Sequence, residues 1–195
     1  MVDSIIQKAT SRLKFLYRHS NFFNWKLRRD LCSSLIQCHI DYCSAAWYSG
    51  LTKKYQQKLQ VIQNKMVRFI LDLSPRDHVG QAQLHSLNFL DIQNRTRQLR
   101  LNHVHKIFHS TGPSYMSQFF TRSSAIHSHA IGNRLNFFVP RVKGLTSKSF
   151  FYCSTLDWNS LPDNIKLIHD KHSFKQAIKN HLGRYAMTQD QAAFV

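Results

Sequence analysis

Glutamate is absent from the 195 residues, and all ten acidic side chains are aspartates. Without glutamate the chain can build neither an HExxH zinc-peptidase helix nor an EF-hand loop, since each needs that residue at a fixed position. No run of about 18 apolar residues occurs, which excludes a membrane-spanning helix of ordinary length. Residues 1–9 lack a basic start followed by an apolar block, so a secretory signal is not expected. Cysteine is sparse, with Cys32, Cys38 and Cys43 close together and Cys153 remote. This is not the dense even framework of small secreted domains, and it predicts reduced thiols in an intracellular setting, nucleus or cytoplasm.

What is abundant is positive charge. Lys and Arg number 27 against the ten aspartates, a formal net charge of +17. An ordinary solvated surface mixes the two signs, so the imbalance points to a polyanion as partner. Hydrophobic residues make up 43%, including 14 Phe, 7 Tyr and 3 Trp, far more than a disordered basic tail carries. The chain is expected to fold, and its length suits one domain or two small ones.

Apolar periodicity predicts helices over the first 110 residues. Ile5, Ile6, Ala9, Leu13, Leu16 and Tyr17 mark a first helix over about 3–19. Asn24 is a fitting cap for a second, lined by Leu27, Leu31, Leu35, Ile36, Ile40, Cys43, Ala46 and Trp47 until Ser49-Gly50 stops it. The third, from Thr52 to about Leu73, has the clearest pattern. Its apolar residues Tyr55, Leu59, Ile62, Met66, Phe69, Ile70 and Leu73 fall in an arc of about 100°, and Lys54, Lys58, Lys65 and Arg68 fall in a neighbouring arc of about 80°. Val61 and Asp72 interrupt that cationic arc. Ser74-Pro75 breaks the helix, and a short helix follows at 81–87. Asp91 then caps a fourth long helix carrying Arg95, Arg97, Arg100 and Lys106, ended by Thr111-Gly112-Pro113.

Between 113 and 150 the chain holds five basic residues and no acid. Leu135, Phe137 and Val139 alternate as in a strand, and Pro140 confines such a strand to an edge. Ser149 opens a further helix that stops at Trp158 to Pro162, and Ser173 to Gln176 has capping-box spacing for a last helix to about Arg184. The tail after Ala186 is expected to fray. The expected fold is mainly α: a helical bundle over 1–112, a basic connector over 113–150 with a short extended stretch near 134–142, and a helical segment over 151–195.

Three kinds of chemistry come into question. For nucleic-acid binding, cations on rigid supports displace condensed counterions from phosphates. The candidates are Lys54, Lys58, Lys65 and Arg68 on the third helix, Arg95 on the fourth, and Arg141 and Lys143 in the connector. Tyr55, Phe137 and Phe138 could stack on unpaired bases. For metal, Cys32, Cys38, His39 and Cys43 contain no CxxC pair, and Cys32 and Cys38 point about 120° apart on a helix. His105 and His109 stand one turn apart, a spacing that arises by chance among 12 histidines. No metal or cofactor is expected. For catalysis, the chain has no GxSxG, GxxxxGK[ST] or GxGxxG motif and no adjacent aspartates to hold paired magnesium ions. Asp157 and Asp163 read as caps or surface groups. Neither an enzyme nor a small-molecule substrate is expected.

Leu35-Ile36-Gln37-Cys38-His39-Ile40-Asp41-Tyr42, then Ala46-Trp47-Tyr48, then the run Lys58 to Arg68 resemble the region that follows the polymerase palm in LINE-type (non-LTR, jockey-like) retrotransposon reverse transcriptases. Phe138-Val139-Pro140-Arg141, Ser149-Phe150-Phe151-Tyr152, Asp157-Trp158-Asn159-Ser160-Leu161-Pro162 and Ser173-Phe174-Lys175 are similar to that family's C-terminal pattern, in the same order. The resemblance implies a thumb and C-terminal segment of an RNA-directed DNA polymerase whose catalytic Tyr/Phe-Ala-Asp-Asp motif lies upstream. It implies a fragment, catalytically inert by itself, that holds RNA or an RNA/DNA hybrid against a palm domain. The alternatives are a non-functional structural remnant of a truncated element, with Phe22, Phe23, Trp25 and Tyr48 as its exposed apolar face, or a domesticated DNA-binding protein.

Overall fold

The computed structural model describes residues 1–109, 112–126 and 133–192, apart from the side chains of Ile126 and 185–192. Thr111, expected to form part of a helix stop, lies outside the described residues. Among the described residues eleven α-helices follow in order: α1 (Val2–Arg18), α2 (Trp25–Cys32), α3 (Cys38–Asp41), α4 (Ser44–Trp47), α5 (Lys53–Leu71), α6 (Gln81–Ser86), α7 (Ile92–Phe108), α8 (Ser123–Ile126), α9 (Phe150–Asn159), α10 (Asp163–Lys166) and α11 (Lys171–Ala192). The architecture is mainly α, as the periodicity predicts.

The chain packs as two compact units. The first comprises Met1–Ser44, Leu51–Arg95 and the chain from Gly183, and the second comprises Ala45–Gly50 and Thr96–Leu182. These units are defined by packing, whereas the segments 1–112, 113–150 and 151–195 follow composition.

In the first unit the apolar stripes of α1 and α5 meet. Ala9, Leu13 and Leu16 are buried on α1, as are Leu59, Ile62, Met66, Val67, Phe69 and Ile70 on α5. Two tyrosines pin the pair: Tyr55 donates its hydroxyl to Asp3 at 2.9 Å, and Tyr17 donates to the Lys65 carbonyl at 3.1 Å. Early meets early and late meets late, so the two helices run parallel. Asn24 caps α2 by accepting from Leu27 N at 2.9 Å, and Asp91 caps α7 by accepting from Asn94 N at 2.9 Å, as expected of these residue types.

The single second helix predicted to Ser49-Gly50 is corrected. It runs through α2, a π-helical turn over Ser33–Gln37 and α3 as far as Asp41, and then turns at Cys43, whose φ of 51° is left-handed. Ser33 and Ser34 hydroxyls bond the carbonyls of Arg29 and Asp30 at 2.8 Å, which loosens a helix. The guanidinium of Arg12 donates to the Leu35 carbonyl at 2.8 Å. Leu27, expected on the packed side, is exposed.

The second unit is built around aromatic rings. Phe137 and Trp158 are fully buried, their centroids 5.5 Å apart, with Phe108 stacked 4.9 Å from Phe137. The extended stretch near 134–142 is present without a strand: among the described residues the one pairing there is an isolated bridge between Arg122 and Phe137. A side chain takes the place of a neighbouring strand. Asn159 Oδ1 accepts from Phe137 N and its Nδ2 donates to Phe137 O, both at 2.8 Å. Ser149 caps α9 as predicted, through Tyr152 N at 3.3 Å. The last helix is corrected at both ends. It begins at Lys171 with Asp170 rather than Ser173 as the cap, Asp170 accepting from Ser173 N at 2.7 Å, and it continues past Ala186 to Ala192.

Candidate nucleic-acid interface

Lys54, Lys58 and Lys65 stand exposed on α5, with Arg68 half-buried at the end of the row. The row covers about 21 Å at 1.5 Å per residue. Among the described residues none of the three lysines is in an ion pair. Arg68 donates through Nε to the Asp77 carbonyl at 2.9 Å, which fixes its head while leaving its charge uncompensated. Asp72, the acid that interrupts the row, is engaged by Arg28 at 2.8 Å. Val61 is exposed beside the lysines.

Tyr55 supports the row instead of offering a free ring. Its hydroxyl is tied to Asp3, a bond that raises the phenol above its ordinary pKa, and the Lys58 ammonium lies 5.0 Å from its ring centre. The sequence reading missed α1 as a contributor. Lys14 and Arg18 are exposed there, within a turn of Tyr17, whose hydroxyl bonds the Lys65 backbone. Their flank of α1 therefore adjoins the α5 row. The signal lay in α1 itself, where Lys8, Arg12, Lys14 and Arg18 accompany one acid, Asp3.

The arginines of α7 behave differently. Arg95 is half-buried and paired with Asp41, Nη2 to Oδ2 at 2.8 Å, so it stands inside an ion pair instead of on an open groove. Arg97 and Arg100 share Asp157, at 3.0 and 2.6 Å. The reading of Asp157 as a cap or surface group is thereby corrected: its carboxylate is buried and holds two guanidinium groups. Asp163 is half-exposed, and hydrogen bonds from Asn133 and Lys166 lower its pKa.

Arg141 and Lys143 are exposed in the second unit, on the extended segment before the turn at Gly144. Of the two phenylalanines considered for stacking, Phe137 is in the core at 1% exposure and Phe138 is open at 41%. The motif Asp157 to Ser160 proves to be a fastening. Asp157 grips α7, Trp158 Nε1 donates to the Leu135 carbonyl at 3.0 Å, Asn159 brackets Phe137, and Ser160 Oγ donates to the Asp157 carbonyl at 2.7 Å.

The cysteines are free thiols. Cys32 is buried, and burial pushes its pKa up to about 12, so it is no nucleophile at neutral pH. Among the described residues no group of three or more His, Cys or Asp is placed to hold a metal ion, and no helix is long and apolar enough to cross a membrane. Compared with known proteins, the chain matches no family model, no curated protein and no solved structure.

Proposed function

We propose that the chain is a nucleic-acid-holding module, the thumb-like part of a LINE-type reverse transcriptase, which lays the α5 row along the phosphates of RNA or an RNA/DNA hybrid and performs no polymerase chemistry itself. One observation carries this reading. Lys54, Lys58 and Lys65 stand in line on α5, exposed and, among the described residues, without an acidic partner, whereas Arg28, Arg95, Arg97 and Arg100 are each engaged by an aspartate. Like charges along one face repel and cost the folded chain stability, a cost that a polyanion lying along the row relieves. The family assignment rests on the order of the sequence motifs along the chain. The chemistry of extension is left to an aspartate pair that this sequence does not contain.

Binding is then set by counterion release, strong at low salt and poor in sequence preference. Affinity for an RNA/DNA hybrid, measured over a series of salt concentrations, tests it. Replacing Lys54, Lys58, Lys65 and Arg68 together by Gln is expected to reduce the salt slope by about 0.7 to 0.9 for each phosphate that is no longer neutralised. An unchanged slope removes the α5 row from the interface. Primer extension by the pure chain overturns the claim that it lacks polymerase chemistry.

The exposed aromatics support a second reading. Phe22 and Trp25 lie open at 81% and 54%, with Phe23 half-buried beside them, while Tyr48 is buried and leaves that group. A remnant that has lost its covering domain exposes such a surface and self-associates.

A further inference from the structure

His109 closes the C-terminal end of α7, and His169 lies in the turn before α11. The two are 60 residues apart in sequence, so nothing in the spacing pairs them, yet their Nδ1 atoms meet at 3.3 Å. Two imidazole nitrogens bound to one tetrahedral ion at about 2.0 to 2.1 Å are held about 3.3 Å apart, by the tetrahedral angle alone. The ring centres are 4.9 Å apart and the planes cross at 84°. At that nitrogen separation the rings therefore meet at an angle and not in line, as two ligands converging on one ion also do.

The surroundings favour this pair over the one-turn pair His105 and His109. His105 is buried, stacked 4.0 Å from Phe174, and its Nε2 is bonded to the Ile168 carbonyl at 2.9 Å. It packs against the His109 ring at 4.2 Å and holds it in place. His169 is exposed, so the site opens to water. No third His, Cys or Asp among the described residues completes the set, and water is left to fill the remaining positions, as at sites that keep an open coordination position.

We infer that His109 and His169 form a two-histidine site for a borderline transition-metal ion such as zinc(II), which clasps the end of α7 to the turn before α11. Zinc(II) titrated into the full chain, followed by calorimetry and by the 15N resonances of the imidazole rings, tests it. One saturable equivalent is expected, with the Nδ1 signals of His109 and His169 moving and that of exposed His172 staying. His169→Gln, at an exposed position, is expected to weaken binding by more than about tenfold, and His109→Gln to do the same. Absence of a saturable equivalent overturns the inference, as does binding that survives in both variants or shifts confined to other histidines.

Discussion

Arg100 and Asp157 form a buried ion pair that joins α7 to α9, with Nε 2.7 Å and Nη2 2.6 Å from the same carboxylate oxygen. The side chains are 7% and 11% exposed, and the other carboxylate oxygen accepts from Arg97 at 3.0 Å. Arg100 Nη1 also donates to Ser49 Oγ at 2.8 Å. One aspartate thus engages two arginines of α7, and the three groups together keep one net positive charge.

Removing that aspartate is expected to be costly. Asp157→Ala leaves a buried guanidinium without its counter-charge, and breaking such a pair from one side costs about 3 to 5 kcal/mol. Urea unfolding of the variant against the parent chain measures it. Arg97→Ala, at a more exposed partner, is expected to cost less than Arg100→Ala. The reverse order removes Asp157 as the fastening point.

Adjacent phenylalanines are expected to separate by role. Phe137→Ala empties a core position and is expected to cost about 3 to 5 kcal/mol. Phe138→Ala, at an open position, is expected to change stability by no more than about 0.5 kcal/mol. Thermal unfolding of the two variants decides the matter, and comparable losses refute the assignment.

Stability is expected to fall in mild acid. His39 Nε2 meets the Arg12 guanidinium, and burial together with the positive charges of Arg12 and Lys8 lowers its pKa below the ordinary 6.5. The unfolded chain then binds the proton more readily than the native one. The contribution is present above pH 6.5 and is lost as the pH drops through the lowered value. Unfolding free energy measured from pH 7.5 down to 5 is expected to decline, and His39→Gln, which can still accept from Arg12, is expected to flatten part of the decline. An unaltered profile in that variant assigns the loss to other groups.

The exposed aromatics give a prediction about association. If Phe22 and Trp25 drive it, sedimentation velocity of the parent chain shows species heavier than the monomer, and the double variant Phe22→Ser with Trp25→Ser shifts the material toward monomer. A parent chain that sediments as a monomer at all concentrations removes the remnant reading.

Legibility followed distance along the chain. The caps at Asn24, Asp91 and Ser149 were readable because each bonds an amide three residues on. The α5 row was readable because one helix carries all of it. The π-helical turn at Ser33–Gln37 was not, since part of its support comes from Arg12, 23 residues away from the carbonyl it bonds. The last helix was misread at its start because Ser173 and Asp170 are both good caps by type, and the chain uses Asp170.

By itself the sequence determined a mainly helical, strongly basic chain, through the period of its apolar residues and its shortage of acids. Only the tertiary structure decided which cations remain open. It brought Asp41 to Arg95 and Asp157 to Arg97 and Arg100 across separations of 54 to 60 residues. Among the described residues it gave Lys54, Lys58 and Lys65 no acidic partner. Alternation likewise set Leu135, Phe137 and Val139 on one face against less buried neighbours, and the structure shows what covers Phe137 on that face, Asn159 and Trp158. A local pattern constrains neighbours on one element, while burial and charge pairing depend on what a distant segment brings to the same place.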